Sequence, residues 1–127
     1  MKSVLMLMSD NCTMNAYASI LEKQSAGVVK VDNAVNGIDA LRCNMFDCIV
    51  LELNRSNFAS QMTFLKEAVN YISMKKVVVI IEKVKEGPML GVQDYLNGIG
   101  VQDVYAKPMG LLFFEELMKR FDTSVLN

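Results

Sequence analysis

The sequence predicts an α/β domain built on a single doubly wound, five-stranded parallel sheet, a (βα)5 arrangement. Three observations carry this. Five short apolar runs punctuate the 127 residues, stretches of helical period separate them, and the first, third and fourth runs are continuous rather than alternating. Continuous runs suit strands buried on both faces, as a parallel sheet covered by helices requires. Alternating strand and helix units place those helices through right-handed crossovers.

The first run is residues 4–8, after which Met14, Tyr17, Ala18 and Leu21 share one helical face. The second run, residues 28–31, contains Lys30 and leads to a helix over 37–43. The third, Cys48–Leu53, is apolar except for Glu52, and behind it Phe58, Met62, Leu65, Val69 and Ile72 recur at helical spacing. The fourth, Val77–Ile81, precedes a helix over 88–97; Pro88 suits its first turn, and Gly98 and Gly100 suit its end. The fifth, residues 104–106, is followed by Phe114, Leu117, Met118 and Phe121 on one face. One domain over residues 1–122 results, with 123–127 as a short tail.

Composition narrows the function. An apolar fraction of 52% with 21% charged residues is enough to build a core. Thirteen basic residues against fourteen acidic ones leave a net charge of −1, so no direct grip on nucleic acid is expected. The longest uninterrupted apolar runs are five residues, too short for a membrane span, and no leader pattern opens the chain, so a cytoplasmic protein is expected. Without histidine, and with three cysteines, haem, zinc-hydrolase and imidazole acid/base sites are nearly excluded.

In doubly wound sheets, ligands and chemistry gather at the carboxyl ends of the strands. That rule selects Ser9, Asp10, Asn11 and Cys12 after the first strand, and Glu52 and Asn54 at the third. It also selects Glu82 and Lys83 after the fourth, and Lys107 and Pro108 after the fifth. In this setting Asn36-Gly37-Ile38-Asp39-Ala40-Leu41, Asp47-Cys48-Ile49-Val50-Leu51-Glu52 and Gly100-Val101-Gln102-Asp103-Val104-Tyr105-Ala106-Lys107-Pro108 follow one another in order, and Glu52 and Glu82 are 30 positions apart. Together these segments resemble the receiver domain of two-component response regulators over nearly the whole chain. The resemblance implies the CheY-like, flavodoxin-like receiver fold. It sets Glu52 at the phosphorylated aspartate, Glu82 at the switch Ser/Thr and Lys107 at the family's lysine.

The departures from the family pattern shape the functional expectation. The resemblance implies a Mg²⁺ held by two carboxylates after the first strand and by the phosphoacceptor, because a hard octahedral cation takes oxygen ligands. Here Met8-Ser9-Asp10-Asn11 offers only Asp10, so weak or absent Mg²⁺ binding is expected and no other metal or cofactor. Glu52 is one methylene longer than aspartate, which displaces its oxygen by about 1.5 Å. An attacking oxygen must approach phosphorus closely and in line. Glu82, when ionised, cannot donate to a phosphate and repels it. The usual strand-5 aromatic position holds Val104, with Tyr105 one place later.

The expectation is therefore a degenerate, pseudo-receiver module, not an enzyme, that acts through protein–protein contact. In it, Lys107 pairs with Glu52 or Glu82, near Asp10, as a built-in substitute for the phosphorylated state. The surplus acid then either takes a raised pKa or faces water. The alternative at these positions is a solvated acidic rim without fixed pairing. A different class of function keeps the chain a Mg²⁺-dependent phosphoacceptor using Asp10 and Glu52 to control a fused or separate output, and a third leaves the acidic pocket to a small cationic ligand.

Other residues carry less. Cys12 lacks the glycine loop or arginine that a nucleophile loop needs, so a cap or packing role is expected. Cys43 and Cys48 read as reduced core thiols. Methionines fill gaps by default, with Met89 and Met109 the more exposed. Leu111-Leu112-Phe113-Phe114 opens the last helix with four large apolar residues. Leu111 and Phe114 fall on the core stripe, leaving Leu112 or Phe113 outward. With Tyr105, Leu90 and Tyr95 they mark an interface, for another signalling protein, a fused output domain or a homodimer through helix 4, strand 5 and helix 5; burial against helix 1, or apolar residues scattered singly on the surface, is the alternative.

Overall fold

The computed structural model describes residues 2–24, 26–82, 91–107 and 109–119. Five parallel strands form one sheet in the order β2-β1-β3-β4-β5: β1 Ser3–Leu7, β2 Gly27–Val31, β3 Cys48–Leu53, β4 Val77–Ile81 and β5 Asp103–Ala106. The helices are α1 Asn11–Lys23, α2 Ala34–Cys43, α3 Phe58–Ala68, α4 Val92–Gly98 and α5 Leu111–Lys119, with one 3-10 turn at Met74–Lys76. The expectations for Lys83, Pro88, Met89, Leu90, Pro108, Phe121 and the 123–127 tail lie outside the described residues.

Alternation along the strands builds two apolar layers. Leu5, Leu7, Ile49, Leu51, Leu53, Val77 and Val79 face one way and pack against α2, α3 and α4 through Leu41, Phe64, Leu65 and Leu96. Val4, Met6, Cys48, Val50, Val78 and Ile80 face the other way, against α1 and α5 through Tyr17, Leu21, Phe114 and Met118. The continuous runs are the interior strands: β3 is buried at every residue, whereas the edge strands β2 and β5 are only partly covered. This is the doubly wound (βα)5 architecture that the apolar runs predict.

Several local expectations are corrected. α2 begins at Ala34 rather than at residue 37, because Asn33 accepts the Asn36 N–H and caps an earlier turn. Gly37 sits inside that helix, where its missing Cβ admits the Phe64 ring; a built Cβ would lie 2.8 Å from the ring edge. α3 ends at Ala68, so Val69 turns to solvent, while Phe64 takes the core position the spacing had missed. Cys43 is exposed at the end of α2, and only Cys48 is a core thiol. Cys12 is exposed in the first turn of α1 and neither caps nor packs. Met109 is buried, and Leu111 lies off the core stripe, half exposed. Gly100 does close the α4 end, at φ 106°.

Candidate functional site

The chain leaves β1 toward β2 on one side and returns to β3 on the other, which opens a crevice at the carboxyl ends of β1 and β3. Glu52, next to last in β3, belongs by alternation to the α1/α5 side. Its side chain is 1% exposed. Such burial requires every lone pair to find a partner.

Both carboxylate oxygens do. Oε1 accepts from the Ser9 N–H at 2.9 Å and from the Ser9 hydroxyl at 2.8 Å. Oε2 accepts from the Lys107 ammonium in an ion pair. The Glu52 backbone carbonyl accepts from Gln61 Nε2 at 2.9 Å and Asn57 Nδ2 at 3.2 Å. Burial alone would raise the Glu52 pKa; the hydrogen bonds from Lys107 and Ser9, with the Lys107 charge, outweigh it and hold the carboxyl below its ordinary 4.5.

Lys107 follows β5, and its N–H donates to the Ile81 carbonyl at 2.9 Å, extending the β4–β5 pairing by one step. Its side chain is 32% exposed, so the ammonium faces Glu52 on one side and water on the other. Glu82 follows β4, half buried, and its N–H donates to the Leu53 carbonyl at 3.0 Å. Among the described residues Lys107 forms its ion pair with Glu52, not with Glu82.

Asp10 is committed to α1. Oδ1 accepts from the Cys12 and Thr13 N–H groups, and Oδ2 accepts from the Thr13 hydroxyl at 2.8 Å. These bonds, the Thr13 hydroxyl first, lower the Asp10 pKa from 3.8, with a smaller contribution from the Lys107 charge. Asp10 is the acid that faces water. Among the described residues no three Asp, Glu, Cys or His side chains converge as metal ligands.

Of the residues the sequence singles out, the fold brings Ser9, Glu52 and Lys107 into one bonded group, with Asp10 within reach of the Lys107 charge and Glu82 just after the end of the neighbouring strand β4. Sequence reasoning missed Gln61, Asn57 and Tyr17. A polar Gln61 on the otherwise apolar face of α3 was the available signal for the first. Asn54 and Asn57 each accept the other's N–H, at 2.9 and 2.8 Å, and this turn aims Asn57 at Glu52. On α5, Leu112 is 73% exposed and Phe113 51% exposed, and the Tyr105 ring meets Phe113 edge-on with centroids 5.2 Å apart.

Solved structures of receiver domains share this architecture. A CheY-like response regulator receiver domain from Methanospirillum hungatei superimposes with a TM-score of 0.80 at 15% identity, covering 97% of this chain and 95% of that one. A two-component response regulator from Clostridium difficile gives 0.77 at 16% identity, with both chains fully covered. The receiver domain of a sensor histidine kinase from Pseudomonas aeruginosa, solved with a magnesium ion in its active-site cleft, gives 0.71 at 14% identity and covers 94% of this chain and 96% of that one. No protein-family model matches the chain, and no curated protein matches it by sequence. The chain has the receiver fold.

Proposed function

We propose that a chain with the receiver fold, and with its central acid already bonded on both oxygens, is a two-component signalling module that works by protein–protein contact without aspartyl phosphorylation. The observation that carries this reading is the Glu52 carboxylate, 1% exposed, with Ser9 on Oε1 and Lys107 on Oε2. A nucleophilic oxygen must reach phosphorus at roughly 3–3.5 Å and in line. Here each oxygen would first have to give up a charge-assisted bond inside a buried site.

The same group is a poor magnesium site. Such a cation asks for several oxygens in near-octahedral array. Asp10 spends both of its oxygens on the α1 cap, Ser9 offers a hydroxyl, and an ammonium sits against Glu52. The extra methylene of Glu52 lets one carboxylate join the β1 end to the β5 end. In this reading the Glu52–Lys107 pair replaces the phosphoryl-bridged state permanently.

The partner is another signalling protein, a fused output domain or a second copy. The surface offered to it is the α4, β5 and α5 side, where the Tyr105 ring meets Phe113 and where Leu112 on α5 and Tyr95 on α4 are exposed. No helix among the described residues is long and apolar enough to cross a membrane, which accords with a cytoplasmic module.

Beryllofluoride with Mg²⁺, followed by amide NMR, tests the reading. The expected result is no saturable shift around Ser9, Glu52 and Lys107. Saturable shifts there would replace this reading with that of a Mg²⁺-dependent phosphoacceptor.

A further inference from the structure

We propose that Tyr17 is a positioning residue for the Glu52–Lys107 pair, holding the β5–α5 connection from the α1 side so that the Lys107 ammonium stays against Glu52. The inference rests on the reading above and deepens it, by saying what keeps the pair closed.

Lys107 carries a long, flexible side chain on a residue just past a four-residue edge strand, so the pair needs an anchor on the connection itself. One anchor is the Lys107 N–H bonded to the Ile81 carbonyl. The second lies two residues on, where the Tyr17 hydroxyl donates to the carbonyl of buried Met109 at 3.0 Å. The Tyr17 ring is itself fixed. It lies on the buried face of α1 and stacks on Phe114 of α5, with centroids 4.3 Å apart and planes at 19°. Phe114 in turn donates its N–H to the Gly110 carbonyl at 3.0 Å, in the first turn of α5.

One side chain therefore holds the connection at Met109 and packs on α5 at Phe114, while the Ile81 carbonyl holds the Lys107 end. Burial, and then the negative charge of Glu52, push the Tyr17 hydroxyl above its ordinary 10.0, so it is a protonated donor at neutral pH. Rigid support of this kind decides how long a flexible charged side chain keeps its geometry.

Tyr17→Phe removes the donor and keeps the stacked ring. Gln24→Ala is the control, because Gln24 Nε2 donates to the Glu115 carbonyl at 3.0 Å, a second α1–α5 bond remote from the pair. The readouts are amide hydrogen exchange at Lys107 and the Glu52 carboxyl titration by carbon NMR. Tyr17→Phe should speed Lys107 exchange by about three- to tenfold, the loss of one hydrogen bond, and raise the Glu52 titration. Gln24→Ala should change neither. Lys107→Met gives the reciprocal arm, since coupling runs both ways: exchange at Phe114 should rise relative to Leu21. Wild-type values in Tyr17→Phe, equal shifts in Gln24→Ala, or unchanged Phe114 exchange in Lys107→Met would each overturn the proposal. Phosphorylation of Glu52 is scored separately, so a silent Tyr17→Phe in a protein that takes no phosphoryl group defeats this inference alone.

Discussion

The Ser9 hydroxyl and Glu52 Oε1 lie 2.8 Å apart and join the end of β1 to the end of β3, with the Ser9 N–H reaching the same oxygen at 2.9 Å. A hydroxyl after the first strand and a buried acid on the third are thus complementary. Each residue fills the requirement the other creates. Ser9→Ala keeps the backbone bond and loses the hydroxyl, so it should cost about 1.5 kcal/mol, as for a bond to a charged group. Urea denaturation checks this.

The two partners of the buried pair should not be equivalent. Lys107→Met strands a carboxylate that water cannot reach and should cost about 3 kcal/mol. Glu52→Gln leaves an ammonium that is already 32% exposed and retains an acceptor for Ser9, so its cost should be nearer 1 kcal/mol. Equal destabilisation in urea would contradict the asymmetry.

Acid should weaken the fold through Glu52 in a defined direction. Its folded pKa is below the ordinary 4.5, so the folded state binds its proton less readily than the unfolded state. The resulting stability is fully present above the ordinary value and is lost as pH falls through the folded value. Asp10 contributes with the same sign below its ordinary 3.8. Urea midpoints measured from pH 7 down to 3 should fall for the wild type, and more shallowly for Glu52→Gln.

Thiol chemistry should divide two to one. Burial pushes the Cys48 thiol up to about 12, whereas Cys12 and Cys43 are exposed. Only the thiolate attacks a disulfide reagent. Two equivalents should react in the native protein and the third only on unfolding.

Gly37→Ala tests the α2–α3 contact. In an open helix the change would be favourable by about 1 kcal/mol. Against the Phe64 ring it should destabilise by about 1–3 kcal/mol, an overpacking cost. Thermal unfolding distinguishes the two signs.

The fold was legible because burial writes itself into composition. The runs at β1, β3 and β4 are apolar since both sheet faces are covered, and the α1 stripe of Met14, Tyr17, Ala18 and Leu21 is the set that is buried. Glu52 stood out as the one charge in such a run. Its pairing was less legible: Glu52 near the end of β3 and Glu82 just after β4 belong to strands adjacent in the sheet, and only the side-chain geometry assigns Lys107 to Glu52. The start of α2 was obscured because a capping asparagine reads as loop. Leu111 was misplaced because α5 begins there, and the face that α5 buries is Phe114, Leu117 and Met118. Tyr17 looked like one more apolar stripe residue, since a hydroxyl's distant partner leaves no local pattern.

The central claim is that the Glu52 carboxylate, bonded to Ser9 and Lys107, takes no phosphoryl group. Intact-protein mass spectrometry after incubation with acetyl phosphate and Mg²⁺ measures it directly. The account predicts an unchanged mass in the wild type under conditions that phosphorylate an aspartate-bearing receiver. A gain of one phosphoryl group, mapped to Glu52 and absent from Glu52→Gln, would contradict it.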